Sequence, residues 1–265
     1  MLGRFTRRYV NQYDYGNKMM GKDEKQKAVN EMFAKISANY DLMNDLMSMG
    51  VHRLWKDEFV SDMGSFKSKD PLHFLDVAGG TGDIAFRIAN KLKEENPDVL
   101  NVESQVTVSD INPDMLNEGR RRGTTLRLNG LNWVEGNAEN LPFKDNSFDF
   151  YTIAFGIRNV PDRLKAIKEA KRVLKRGGRF MCMEFSKVTL PIFDILYSQY
   201  SKIVIPTLGS IAVGDRESYE YLVESIERFP NQEEFAALIN EAGFNFVHHR
   251  NLTYGICAIH SAINI

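Results

Sequence analysis

Between His73 and Glu184 the chain alternates between two kinds of segment, and this alternation limits its fold more than any other feature. Short apolar runs at His73–Val77, Val106–Ser109, Leu131–Val134, Asp149–Ala154 and Arg179–Glu184 have the length and residue types of buried strands. Asp83–Lys93, a stretch opening at Pro113–Gly119, and Asp162–Leu174 carry helical periodicity. Pro113 suits a first helical turn, and Gly177-Gly178 reads as a helix stop. Strands joined by crossovers of this length predict a parallel sheet covered by helices on both faces. Asn231–Ala242 reads as a helix opened by a capping box, Asn231 with Glu234. Phe244–His249 and Thr253–His260 read as closing strands, paired as a hairpin across Arg250–Leu252.

The flanks of this pattern differ from it. Residues 26–48 are expected to be helical, with Val29, Met32, Phe33 and Ile36 at helical spacing, after an extended lead-in over residues 1–25. Residues 190–228 form an apolar stretch containing Gly and Pro. It reads as an insertion into one domain covering 26–265. The lead-in carries Arg4, Arg7 and Arg8, and its first acid is Asp14. An Arg-rich, acid-poor start fits either a targeting presequence or a solvated basic tail.

Composition excludes some functions. A net charge of −1 supplies no field to draw the chain to nucleic acid. The best candidate for a membrane span, the uncharged Ile203–Gly214, is too short and contains Pro206, so the chain reads as soluble or peripheral. Cys182 and Cys257 are far apart and flanked by apolar residues, which predicts buried, reduced thiols. His248 and His249 would alternate across a strand and cannot chelate one ion together, and no metal is expected.

The chemistry concentrates where the first strand meets the first helix, at Phe74-Leu75-Asp76-Val77-Ala78-Gly79-Gly80-Thr81-Gly82-Asp83. Glycines at such a junction let backbone approach a ligand. Gly80, Thr81 and Gly82 are therefore expected in a binding turn. Gly80 to Ala85 also fits a dinucleotide fingerprint, so an NAD-linked oxidoreductase is a rival reading. Asp76 before the turn and Asp83 after it disfavour a pyrophosphate and favour a cationic ligand, of which S-adenosylmethionine is one. Asp110, closing the second strand, can accept hydrogen bonds from ribose hydroxyls, or can instead cap the helix that follows. Asn137 after the third strand can bond an adenine edge, and the small Ala138 permits close packing. With Leu141-Pro142-Phe143 and Ser147-Phe148-Asp149, the chain resembles class I methyltransferases from Asp76 onward. That resemblance implies a Rossmann-like, mostly parallel seven-stranded sheet with helices on both faces.

Two further segments narrow the resemblance: Tyr40-Asp41-Leu42-Met43-Asn44-Asp45-Leu46-Met47-Ser48-Met49-Gly50-Val51-His52-Arg53-Leu54-Trp55, and Arg172-Val173-Leu174-Lys175-Arg176-Gly177-Gly178 running on to Glu184-Phe185-Ser186. Both are similar to signature segments of the ubiquinone/menaquinone C-methyltransferase family. Arg176 departs from that family's usual Pro. Ala154-Phe155-Gly156-Ile157-Arg158-Asn159-Val160 is also similar, except that Ala154 stands where bacterial members often have Ser, so Ala154 is not carried over as a binding residue. Tyr219–Pro230 and Thr253–His260 resemble the mitochondrial coenzyme Q branch, and the resemblance covers about residues 28–262.

The resemblance implies methyl transfer from S-adenosylmethionine to a ring carbon of 2-methoxy-6-polyprenyl-1,4-benzoquinol. A demethylmenaquinol substrate, or a non-catalytic scaffold, is the alternative. It also implies a homodimer within a multi-enzyme coenzyme Q assembly, peripheral on the matrix side of the mitochondrial inner membrane, with residues 1–25 holding a presequence. Its site residues match Arg158, Asn159, Tyr40 and Asp110. Arg158 would stabilise a developing phenolate or polarise a water that takes the proton, since arginine cannot act as a free base. Asn159 would orient the quinol hydroxyl, and Tyr40 would close over the methionine end of the cofactor. His52 is expected in a structural hydrogen bond and Trp55 in packing. From its own apolar residues, among them Ile192, Phe193, Ile203 and Val204, segment 190–214 is expected to hold the prenyl tail or face the membrane, or else to pack as ordinary core.

Overall fold

The computed structural model describes residues 13–15, 18–36, 45, 48, 50–95, 105–191, 197, 199–200, 207 and 216–265. Tyr40, residues 1–12 and most of the 190–214 segment lie outside the described residues.

The chain enters through an antiparallel pair, β1 (Tyr13–Tyr15) and β2 (Lys18–Met20), followed by α1 (Lys22–Ile36). The lead-in expected up to residue 25 is therefore partly a hairpin, and the helix begins earlier than its apolar spacing indicates. Its first turn is polar, so hydrophobic periodicity starts late. Asp23 and Glu24 there favour the positive N-terminal end of the helix dipole. Helix α2 (His52–Asp62) buries His52, Trp55, Lys56, Phe59 and Val60, a single stripe at 3–4 residue spacing.

The sheet then forms from β3 (His73–Val77), β4 (Gln105–Asp110), β5 (Leu131–Glu135), β6 (Phe148–Ala154), β7 (Leu174–Phe185), β8 (Asn245–Leu252) and β9 (Cys257–Ile263). Helices α3 (Asp83–Glu95), α4 (Pro113–Thr125), α5 (Arg163–Val173), α6 (Arg216–Arg228) and α7 (Gln232–Glu241) connect and cover it. The strand order is β5-β4-β3-β6-β7-β9-β8. Pairs from β5 through β7 are parallel, and β9 runs antiparallel to both neighbours. Successive side chains go to opposite faces, as the pleat requires. In β3, Phe74 joins one core cluster while Leu75 and Val77 join the other; in β6, Phe150 packs on the first cluster and Tyr151 and Ile153 belong to the second. The chain builds outward from β3 to β5, then returns to place β6 on the other side of β3. The crevice at the carboxyl ends of β3 and β6 is thus a topological switch point, where open α/β sheets bind ligands.

Two expected boundaries move. Gly177 and Gly178 do not stop α5, which ends at Val173 and passes directly into β7. They belong to a bulge in that strand: Phe148 pairs with Leu174 and Phe150 with Arg179, with Gly177 at φ 82°. The β8–β9 turn is not at Arg250–Leu252 but at Thr253–Gly255, where all three residues have positive φ. The polar residues before it belong to β8, an edge strand, and edges tolerate polar and charged side chains. The capping box of α7 is present, with Asn231 and Glu234 exchanging two bonds of 2.9 Å.

Candidate functional site

Beyond β3 the backbone turns sharply, with positive φ at Ala78, Gly80 and Gly82. A Cβ on Gly79 would lie 2.7 Å from Val108 Cγ1 and 2.8 Å from Asp76 Oδ2, so nothing larger than glycine fits beside that carboxylate. The Gly80 amide donates to Asp110 Oδ2 and the Asn112 amide to Asp110 Oδ1, each at 2.9 Å. Asp110 thereby ties the turn to the end of β4. Capping falls to Asn112 instead: its Oδ1 accepts from the amides of Asp114 and Met115 at the start of α4.

Asp76 carries the most unusual environment. Its side chain is 1 % exposed. Thr152 Oγ1 donates to its Oδ1 at 2.8 Å, while Oδ2 has no hydrogen-bond partner. Burial pushes its pKa up to about 7; Thr152 and the Ala85 amide work the other way, and the nearby Asp110 and Asp83 raise it further. Burial also pushes Asp110 up, against bonds from the amides of Asn112, Gly80 and Ile111. Asp83 differs. Burial alone would raise it, but Lys56 and Arg87 hold it below the ordinary carboxylate range. Lys56 Nζ lies 2.5 Å from Asp83 Oδ2, and Arg87 meets Oδ1. The case against a phosphate ligand therefore rests on Asp76 and Asp110, because Asp83 is already neutralised.

These groups line one cleft, of about 1070 Å³ with its open mouth included. Asp76, Gly80, Thr81 and Asp110 form one wall, and Asn137, Ala138, Ala154 and Asn159 another; Gln26, Val29 and Asn30 of α1 also face it. Lys22 at the start of α1 pairs with the buried Glu139 next to Ala138, which fixes the helix over the cleft. Thr81 Oγ1 accepts from Arg122 Nη1 at 2.8 Å, and Asn137 Oδ1 accepts from the Glu139 amide at 2.9 Å. Gly82 is not on the cleft wall. A Cβ there would lie 2.6 Å from Trp133 and 3.1 Å from Phe86, so close helix–sheet packing accounts for it.

Arg158 and Asn159 share a single helical turn after β6, Ile157–Asn159, but face different surroundings. Asn159 lines the cleft, and its Oδ1 accepts from Tyr221 Oη at 2.9 Å. Tyr221 stacks on Tyr15, with centroids 4.2 Å apart. Arg158 does not line the cleft. It is 3 % exposed and donates to Glu184 Oε1 at 2.7 Å and to the Phe155 carbonyl at 2.6 Å. Glu184, 1 % exposed, also accepts from the backbone amides of Arg158 and Phe185.

Lys56, Glu184 and Tyr221 were not singled out by the sequence. Lys56 on the apolar stripe of α2 and Glu184 inside an apolar strand were available as signals, because long charged groups are rarely buried unpaired. His52 lies 2.8 Å from Asp45 through Nε2, and Trp55 donates to Thr253 Oγ1 at 2.8 Å and packs edge-on against Phe185. Cys182 and Cys257 are buried free thiols. Among the described residues, no group of His, Cys, Asp and Glu side chains could hold a metal ion, and no helix is long and apolar enough to cross a membrane.

Residues 19–264 match the ubiE/COQ5 methyltransferase family. The chain is 46% identical to "2-methoxy-6-polyprenyl-1,4-benzoquinol methylase, mitochondrial" of Dictyostelium discoideum, over 96% of this chain and 87% of that one. It is 52% identical to "Ubiquinone/menaquinone biosynthesis C-methyltransferase UbiE" of Brucella canis, over 94% of this chain and 90% of that one. Among solved structures, a SAM dependent methyltransferase from Aquifex aeolicus superposes with a TM-score of 0.57 at 19% identity, covering 84% of this chain and 97% of its own. This last likeness bears on the fold alone.

Proposed function

The chain belongs to the ubiE/COQ5 methyltransferase family, and from that membership and its cleft we propose that it methylates a ring carbon of 2-methoxy-6-polyprenyl-1,4-benzoquinol, with S-adenosylmethionine as donor. The observation that carries this reading is Asp76, a buried carboxylate that lines the cleft and has one oxygen outside hydrogen-bond geometry with any partner. A buried acceptor left unmade costs about 1–3 kcal/mol, and a cationic ligand removes that cost. When bound, S-adenosylmethionine supplies a methyl group activated by its positive sulfur.

The chain's own residues bind and orient. Asp76 accepts from the ammonium of the donor's methionyl end. Asp110, fixed by Gly80 and Asn112, presents remaining lone pairs to ribose hydroxyls, and Asn137 with Ala138 receives the adenine. Thr81 and Gly80 supply the close backbone wall, and Gly82 acts through packing. Asn159, held by Tyr221, orients a quinol hydroxyl. Loss of the hydroxyl proton makes the ring carbon electron-rich, and alignment of that carbon supplies much of the rate. Arg158 is assigned to holding the Phe155–Asn159 turn through Glu184, in place of direct phenolate stabilisation, because its Nη1 bonds Glu184 and the Phe155 carbonyl and its side chain does not line the cleft. Tyr40 keeps its proposed place over the methionine end.

The reading extends to the setting: a mitochondrial protein, peripheral on the matrix face of the inner membrane, acting as a homodimer in a coenzyme Q assembly, with the 190–214 segment at the prenyl tail. The test is incubation with methyl-labelled S-adenosylmethionine and a reduced, short-tailed methoxybenzoquinol. Label on the ring carbon is the expected result. Label on no quinol would leave the scaffold reading, and label only on a demethylmenaquinol would move the substrate to the naphthoquinol class.

A further inference from the structure

The apolar stripe of α2 contains one residue that an apolar stripe should not hold. Lys56 lies among Trp55, Phe59 and Val60 on the buried face and is 4 % exposed. An ammonium in that position needs its charge met. Among the described residues its one hydrogen bond is to Asp83 Oδ2. An ammonium has three donors, and Asp83 shares its charge with Arg87 on the opposite oxygen. Lys56 also lines the cleft that holds Asp76. Asp76 Oδ2 has no partner, and no hydrogen bond joins the two residues.

The cleft is thus lined by a buried cation with donors to spare and a buried carboxylate with an acceptor to spare, with no hydrogen bond between them. A ligand that meets both carries an anionic and a cationic group, as the α-carboxylate and α-ammonium of an amino acid do. A pyrophosphate would satisfy Lys56 and be repelled by Asp76; a simple amine would satisfy Asp76 and leave Lys56 as it is. We propose that Lys56 receives the α-carboxylate of the methyl donor's methionyl end while Asp76 receives its α-ammonium. This inference rests on the reading of the cleft as an S-adenosylmethionine site and assigns to it a binding residue from outside the glycine turn.

The test uses a ligand that lacks only the carboxylate. The full chain and its Lys56→Met variant are titrated calorimetrically with S-adenosylmethionine and with decarboxylated S-adenosylmethionine. The wild type is expected to favour the intact ligand by about 10- to 100-fold, the range of a charge-assisted hydrogen bond. In Lys56→Met the two ligands should bind equally, with affinity for the decarboxylated one within about 3-fold of wild type, and Lys56→Arg should restore part of the preference. Should Lys56→Met fail to fold, Lys56→Gln is read in the same way. Equal weakening of both ligands would show that Lys56 acts only through Asp83 and would overturn the proposal, as would an unchanged preference for the intact ligand. If the wild type bound neither ligand, the cleft reading itself would fall, a result distinct from binding without discrimination.

Discussion

At the end of β3, Asp76 is buried with one carboxylate oxygen bonded to Thr152 and the other unmatched. At the end of β6, the neighbouring strand, Arg158 is as deeply buried but faces Glu184, and two backbone amides complete the acid's bonding. Both are ionisable groups in a dry setting, and they differ in whether the chain itself supplies the counter-charge. A matched pair fixes geometry; here it holds the turn that presents Asn159. An unmatched group weakens the apo fold and marks where a ligand must supply what is missing.

The comparison breaks first on stability. Glu184→Ala leaves Arg158 buried without its partner and is expected to cost about 3–5 kcal/mol in urea unfolding. The double variant Arg158→Met with Glu184→Leu should recover most of that loss. Asp76→Asn should cost little stability or add some, because it removes a charge that has no counter-charge. An equal loss at both sites would erase the distinction drawn between them.

The next effect is on ligand affinity. Asp76→Asn should weaken S-adenosylmethionine binding by about 2–3 kcal/mol, the worth of a hydrogen bond to a charged group, as read by calorimetry.

The third effect is on pH. The folded-state pKa of Asp76 is about 7, above the ordinary 3.8. Between those values the folded chain keeps a proton that the unfolded chain has released. Stability of the apo protein should therefore fall as pH rises across that window, by at most about 1.4 kcal/mol per unit. Affinity for the cationic ligand should rise over the same window and level off above it. Asp76→Asn should remove both slopes.

The smallest effect tests the matched side again. Tyr221→Phe removes the bond to Asn159 and should cost about 1 kcal/mol, read as a raised KM for quinol with S-adenosylmethionine affinity unchanged.

The parallel sheet was legible because its central strands β3 and β4 are buried on both faces and read as apolar runs, and the glycine turn because only glycine fits beside Asp76 and against Trp133. The start of α1 was hidden by a polar first turn, and the β8–β9 turn by polar residues on an edge strand. Within the site, the motif residues Asp76, Gly80, Thr81, Asp110, Asn137, Ala138 and Asn159 all line one cleft. Lys56 and Tyr221 come from helices far off in sequence and meet the cleft only through packing. The partner of Arg158, Glu184, lies on the adjacent strand β7, and a local motif carries no information about that contact.

The central claim is that the unmatched carboxylate of Asp76 makes this cleft a site for a cationic, phosphate-free donor. Calorimetric titration of the full chain with S-adenosylmethionine and, separately, with NAD tests it most directly. Saturable binding of S-adenosylmethionine with no heat from NAD is the predicted result. Saturable binding of NAD in place of S-adenosylmethionine would contradict it.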